Sequence, residues 1–452
     1  MGSTVPDLAR QLAEAADSED GGLSVVPLLR GRLVFIRSAS LMRSLSTNEA
    51  LARGPSQNLL RAVFVDALFL LPPGTEHASR RQEFKDQLGK SRIAELVPLI
   101  ARHAAGVAQR LSVHATLATS TPVDMGDEIL AYLFGVASHA IAGADAGLGA
   151  HVARYRIQSD IVLEKSSSTL RSAAARIHRR MADLLARPAG AAAREMLDVG
   201  RALLATAALR PDRPTLALVM MTRHGIDPTT VGTGTRFPER LLYEITMTFA
   251  ASTFTSSQLM LTTLDHYARH PRERQALRRQ IRADYPAGIG GLQAFPLTDA
   301  VRQLLPVMLR NSPVGAVVRD VVAPVGFTDD RGRGHQLEPG DTVIFDLTCL
   351  QANEEAALRA HLDQAAGPLL DQLDARHNDL IKSFHAGPFQ CPGRYLGIAD
   401  SLLFLMAVIS CVDGAWEDGP RSRIHGLVDR LSGSSRMRLR IPPDASDEGP
   451  PP

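Results

Sequence analysis

Phe384-His385-Ala386-Gly387-Pro388-Phe389-Gln390-Cys391-Pro392-Gly393-Arg394-Tyr395-Leu396-Gly397 is the stretch whose reading decides this chain. One cysteine sits in a loop bracketed by Gly387 and Gly393, and the apolar run 393–411 that follows reads as a helix. Main-chain N–H groups and the positive end of a helix stabilise a thiolate at such a junction and present it to a metal. Glycines let the backbone turn tightly and come close to a flat ligand. Phe384 is placed to pack beneath the sulfur and keep water away. The competing reading is an inert, buried structural cysteine, since lone cysteines are commonly core.

These residues resemble the heme-binding loop of the cytochrome P-450 family. That pattern reads Phe, two residues, Gly, three residues, Cys, one residue, Gly, then a Leu and a small residue in the helix. Phe384, Gly387, Cys391, Gly393, Leu396 and Gly397 meet each position. Chance is a poor explanation, because glycine fills only about 7% of positions in proteins and this chain has 3 cysteines. Two positions depart from the pattern. Phe389 stands where the family usually has His or Arg toward a heme propionate, and His385 replaces a common Gly.

The resemblance implies a mainly α fold with a small β region, the cytochrome P-450 fold, in a single heme-holding domain over 23–441. It leaves 1–22 as an N-terminal segment and 442–452 as a Pro-rich tail of disordered composition. The implied cofactor is heme b (iron protoporphyrin IX), with Cys391 as the metal ligand. Phe384, Gly387 and Gly393 join the cofactor site.

Composition agrees with a large apolar core: 45% of the 452 residues are hydrophobic. Fifty basic residues nearly balance 48 acidic ones, so the net charge of +2 does not point to nucleic acid. Cys349, Cys391 and Cys411 form no disulfide framework and no CxxC pair. The polar N-terminus lacks the basic start and apolar run of a signal peptide. No stretch of about 18 apolar residues suggests a membrane span. The expectation is a cytoplasmic enzyme of bacterial type, with no membrane and no nucleic-acid partner.

Along the chain, 23–37 reads as short strands around a glycine turn. Helical spacing runs through 76–112, 125–143, 169–187 and 191–208. Residues 238–270 form one long helix that should stop at Pro271. Segment 314–347 alternates Val-rich pieces with turns and reads as the β region. Residues 355–383 read as irregular or weakly helical. No internal repeat is visible.

Three further segments carry chemistry under the resemblance. His77 and Arg81, four residues apart, share one helical face, and a His and an Arg at this spacing hold a heme propionate in the family. Arg319 falls where the family often has another propionate-binding arginine. In the long helix, Ala251-Ser252-Thr253-Phe254-Thr255-Ser256 matches the distal stretch that usually reads Ala-Gly-x-acid-Thr-Thr. Thr255 falls on the threonine that steers protons to dioxygen, the expected catalytic residue. Phe254 replaces the acid and cannot relay protons. Neighbouring hydroxyls (Thr246, Thr248, Ser252, Thr253, Ser256, Ser257) either hold water in its place or bond the preceding helical turn. Third, Val307-Met308-Leu309-Arg310 resembles the Glu-x-x-Arg helix with Val307 in place of Glu, which obliges Arg310 to find another acid, a carbonyl or water.

No GxGxxG, P-loop, GxSxG or HExxH motif occurs. Electrons must then come from separate proteins, ferredoxin and ferredoxin reductase under the resemblance, or from an oxidant. The expected function is oxidation of a small-molecule substrate in specialised biosynthesis. Phe254 motivates a second reading, a peroxide-driven or electron-neutral enzyme. Val307 and Phe389 motivate a third, a non-catalytic recruitment partner.

Overall fold

Helical apolar spacing and short Val-rich runs become helices and sheets in the computed structural model. It describes residues 22–27, 31–52, 74–117, 121–158, 191–194, 196–232, 234–312, 314, 316–373, 380–385, 390–417, 421–425, 428–432 and 435–442. Helices with both ends among these residues include α1 (Ala39–Ser46), α2 (Thr75–Leu88), α3 (Lys90–Thr116), α4 (Met125–Ala142), α5 (Leu197–Ala208), α6 (Leu216–Arg223), α7 (Glu239–Arg269), α8 (Pro271–Asp284), α9 (Asp299–Arg310), α10 (Leu347–Gln364) and α11 (Arg394–Cys411). The expected helix 169–187, position Gly387 and nearly all of both termini lie outside the described residues.

The helical spacing over 76–112 is carried by two helices, with Gly89 in extended conformation separating α2 from α3. Asp124 caps α4 by accepting from the N–H groups of Gly126 and Asp127. Pro271 ends α7 and opens α8, where its missing N–H has no intrahelical partner to lose. Leu402, Leu403, Phe404, Leu405 and Met406 of α11 are consecutive and each 0% exposed. Five successive positions cover the full circumference, which marks a helix buried on all sides. Among the described residues α11 is the one helix long and apolar enough to cross a membrane, and 78% of it is buried inside the fold. It packs against α3, α7 and α8.

The β region is a five-stranded sheet in the order β1-β2-β8-β5-β3. Its strands are β1 (Leu23–Pro27), β2 (Arg32–Ile36), β3 (Leu51–Ala52), β5 (Ala316–Val321) and β8 (Thr342–Asp346). β2 and β8 run parallel, and β5 pairs β8 antiparallel with Arg319 opposite Val343. The hairpin β6 (Val325–Thr328) and β7 (Gly334–Leu337) follows β5, and β4 (Val123–Asp124), β10 (Arg436–Arg440) and β9 (Asp413–Trp416) form a smaller sheet. The sheet has its own apolar cluster around Val34, Ile36, Val343 and Phe345, separate from the large helical core.

One expectation is corrected. Residues 355–364 belong to the well-formed helix α10, which begins inside the segment expected to be β. Asp346 is the last residue of β8 and also the N-cap of α10, accepting from the Cys349 N–H at 3.0 Å. Strand passes directly into helix with no glycine or proline between them.

Candidate active site at the start of α11

The Cys391 N–H donates to the Phe384 carbonyl at 2.8 Å and closes the loop. The Gly393 N–H donates to the sulfur. Gly397 N–H then donates to the Gly393 carbonyl at 2.9 Å, the first bond of α11. Gly393 has an ordinary φ of −88°, so it is not there to supply a left-handed turn. A Cβ there would stand 4.0 Å from the Cys391 sulfur, an ordinary contact distance. A Cβ on Gly397 would lie 3.5 Å from the Phe384 ring and 3.8 Å from Ser256 Oγ of α7. Phe384 therefore packs on the first turn of α11, close to where α7 crosses it.

The left-handed position in this segment is His385, with φ 61°, the one non-glycine residue with positive φ among those described. It is buried, and its ring meets Phe345 of β8 edge-on at 5.4 Å. The family's usual Gly at this place has a backbone reason, which His385 meets at the cost of strain.

Burial pushes the Cys391 thiol up from its ordinary pKa, while the Gly393 amide, Arg394 and Arg81 pull it down. Arg394 follows the loop directly, lies 4.2 Å over the Tyr395 ring and donates to Gln390 Oε1 at 3.1 Å. The motif itself assigns it no role. On α2, adjacent arginines diverge, as positions about 100° apart on a helix must. Arg80 is buried against Glu244 (3.4 Å) and Glu76 (2.5 Å). Arg81 turns instead toward Cys391 and Arg394; burial lowers its pKa and the cysteine's charge opposes that. His77, one turn before Arg81, is 5% exposed. Arg319 is buried in β5, its guanidinium lowered to about 10 by burial and supported by Asp320. Its strand partner Val343 lies two residues along β8 from the Phe345 that touches His385.

On α7, Ala251 and Thr255 are exposed near the middle of a helix whose next residues, Ser256 to Met260, are all buried. Thr248 and Ser252 on the same stripe are half-buried. The hydroxyls donate into the preceding turn: Thr248 to the Glu244 carbonyl, Ser252 and Thr253 to Phe249, Thr255 to Ala251 at 2.6 Å, Ser257 to Phe254. Their oxygens remain acceptors.

No protein-family model matches the chain. A probable cytochrome P450 28d1 from Drosophila melanogaster is 27% identical over 195 residues, which cover 41% of this chain and 36% of that protein. The match thus spans well under two thirds of the relative's length. A crystal structure of a cytochrome P450 (CYP102L1) aligns with a TM-score of 0.64 at 16% identity, covering 97% of each chain. The chain has the cytochrome P450 fold.

The likeness to a solved cytochrome P450 shows the fold, and the fit of these residues to a heme is judged from their own chemistry. The side chains of this cytochrome P450 fold suit that group. A half-buried thiol carries an amide hydrogen bond at a helix start, cationic side chains from α2 and β5 lie buried or half-buried, and α7 keeps an open face at Ala251 and Thr255. The fold also shows how Val307 is tolerated. Val307 is buried in apolar core, and Arg310 has found its acid elsewhere, in Glu355 of α10.

Proposed function

We propose that the chain is a cytoplasmic heme-thiolate oxidoreductase, a cytochrome P-450-like monooxygenase that oxidises a small organic substrate in specialised-metabolite biosynthesis. Residues 23–441 form its heme domain. The observation that carries the reading is the Cys391 junction: a closed loop, an amide on the sulfur and an arginine pair beside it. Cys391 is the ligand to the iron of heme b. The Gly393 amide and the helix start offset the negative charge on sulfur, and Phe384 shields it from water. His77, Arg81 and Arg319 hold the propionates by charge-assisted hydrogen bonds. When bound, a thiolate-ligated heme supplies the oxidising chemistry, the sulfur's electron push favouring O–O cleavage. Thr255, whose own proton bonds the Ala251 carbonyl, holds a water's proton at its oxygen on the open face of α7. Ferredoxin and ferredoxin reductase supply electrons.

Stoichiometric uptake of hemin by the purified protein, read as a Soret titration, tests this function. Failure to saturate would contradict it.

A second reading is favoured by α7. Phe254 cannot carry protons, and the hydroxyl donors around it point back into the helix. An enzyme driven by peroxide, or one rearranging or dehydrating its substrate without external electrons, depends least on that relay. Product formed with reductase plus NAD(P)H, with peroxide alone and with neither separates the two readings.

A further inference from the structure

The approach to Cys391 is held by a side chain that the motif does not contain. Gln351 lies on α10 and is 1% exposed. Its Oε1 accepts from the Lys382 N–H at 2.8 Å, the Ser383 N–H at 3.3 Å and Ser383 Oγ at 3.3 Å. Its Nε2 donates to the Leu380 carbonyl at 3.1 Å. One amide thus pairs with both edges of segment 380–383. Ser383 Oγ shares its single proton between Gln351 Oε1 and the Leu309 carbonyl of α9, the latter nearer at 3.0 Å. The next residue is Phe384, whose carbonyl accepts the Cys391 N–H and whose ring packs on the first turn of α11.

Lys382 and Ser383 belong to no sheet or helix. A buried backbone amide left without a partner is costly, so Gln351 supplies what secondary structure supplies elsewhere. Backbone order then passes from Gln351 to 382–383, to the Phe384 carbonyl and to the thiol.

From this continuity we infer that Gln351 is a positioning residue for Cys391, setting the height and orientation of the sulfur from α10. Together with Glu355, one turn further along the same helix, it makes α10 the polar brace that the Val307 helix lacks. The inference rests on the heme-thiolate reading for its functional meaning, but its test does not.

The test compares wild type, Gln351→Leu and Gln351→Glu as heme-free full chains. Leu keeps the volume and removes every hydrogen bond. A protonated Glu at this dry site reproduces the donor and the acceptor of the amide. In Gln351→Leu the Lys382 and Ser383 amides exchange roughly 10- to 100-fold faster, the loss expected when buried donors lose their acceptor. Cys391 alkylates faster relative to Cys349 and Cys411 in the same sample, and Gln351→Glu restores both readouts. After hemin addition, Gln351→Leu shows a smaller thiolate-type fraction in its reduced carbonyl spectrum.

Unchanged exchange and alkylation in Gln351→Leu overturn the inference, as does a Glu variant as disturbed as the Leu one. If Gln351→Leu does not fold, Ser383→Ala, which cuts the link to Leu309 and one bond to Gln351, is read in the same way. Failure of wild type to take up heme would instead remove the heme-thiolate reading, with the heme-free comparison still deciding the role of Gln351.

Discussion

Arg310 Nη1 lies 3.1 Å from Glu355 Oε2 and 3.3 Å from Oε1, so the arginine of α9 pairs with a carboxylate from α10. The same carboxylate accepts from Arg359 Nη2 at 2.7 Å and Nε at 3.0 Å. Val307, in the position that the family fills with Glu, is 5% exposed and packed in the core. The pairing has moved from within one helix to between two. Arg310 is 38% exposed and Glu355 17%, which keeps the interaction modest. Glu355→Gln is expected to lower stability by about 1 kcal/mol, and a double-mutant cycle with Arg310→Ala should show the two coupled. Val307→Glu should not stabilise the protein, because it buries a carboxylate whose partner is already engaged. Thermal melts of these variants check both statements, and a large gain from Val307→Glu alone would contradict them.

His385 gives a backbone prediction. Its φ of 61° suits glycine, while its ring fills space against Phe345. Both His385→Gly and His385→Ala lose the ring contact, but only Ala keeps the strained backbone. The Gly variant should be more stable than the Ala variant by about 1 kcal/mol, the cost of a Cβ in the left-handed region. Denaturant unfolding of the pair measures this, and equal midpoints and slopes would sink it.

His77 and Arg81 should each matter for heme retention. Under the heme-thiolate reading, removing either takes a buried or half-buried partner from a propionate and is expected to cost about 1.5–3 kcal/mol of hemin affinity. Arg80→Ala, which faces Glu244 instead, should leave hemin affinity near wild type while lowering stability. Hemin titrations of the three variants check the assignment. Equal losses in all three would show that α2 as a whole, rather than its Arg81 face, is what matters.

Thr255 gives a prediction about proton handling. If the protein is a monooxygenase, Thr255→Ala lowers product per electron consumed and raises peroxide release, since the open face of α7 then loses its hydroxyl. Phe254→Asp either improves coupling or, where the half-buried site stays dry, leaves a neutral carboxyl with little effect. Coupling measured as product per NAD(P)H decides. Full coupling in Thr255→Ala would remove Thr255 from the proton path.

What the sequence made legible was local. The Cys loop and the all-round apolar helix after it are readable because glycine spacing, the lone cysteine and helical period are properties of consecutive residues. The long helix ending before Pro271 is readable for the same reason. The Glu355 partner of Arg310 is 45 residues away, and no local pattern announces it. Gln351 looks like any helical glutamine until its backbone partners at 380–383 are brought to it by the fold. Helix α10 escaped because its cap, Asp346, is also a strand residue, leaving no turn composition to mark the boundary. His385 shows the reverse case: its departure from the family's Gly was plain in sequence, but the left-handed backbone it must adopt was not.

The most direct test of the heme-thiolate account is the absorption spectrum of the reduced carbonyl complex, recorded for wild type and for Cys391→Ser, Cys349→Ser and Cys411→Ser. Wild type and the Cys349 and Cys411 variants should share a red-shifted, thiolate-type Soret band, and Cys391→Ser should lack it. A thiolate-type band that survives in Cys391→Ser, or its absence from heme-loaded wild type, would contradict the account.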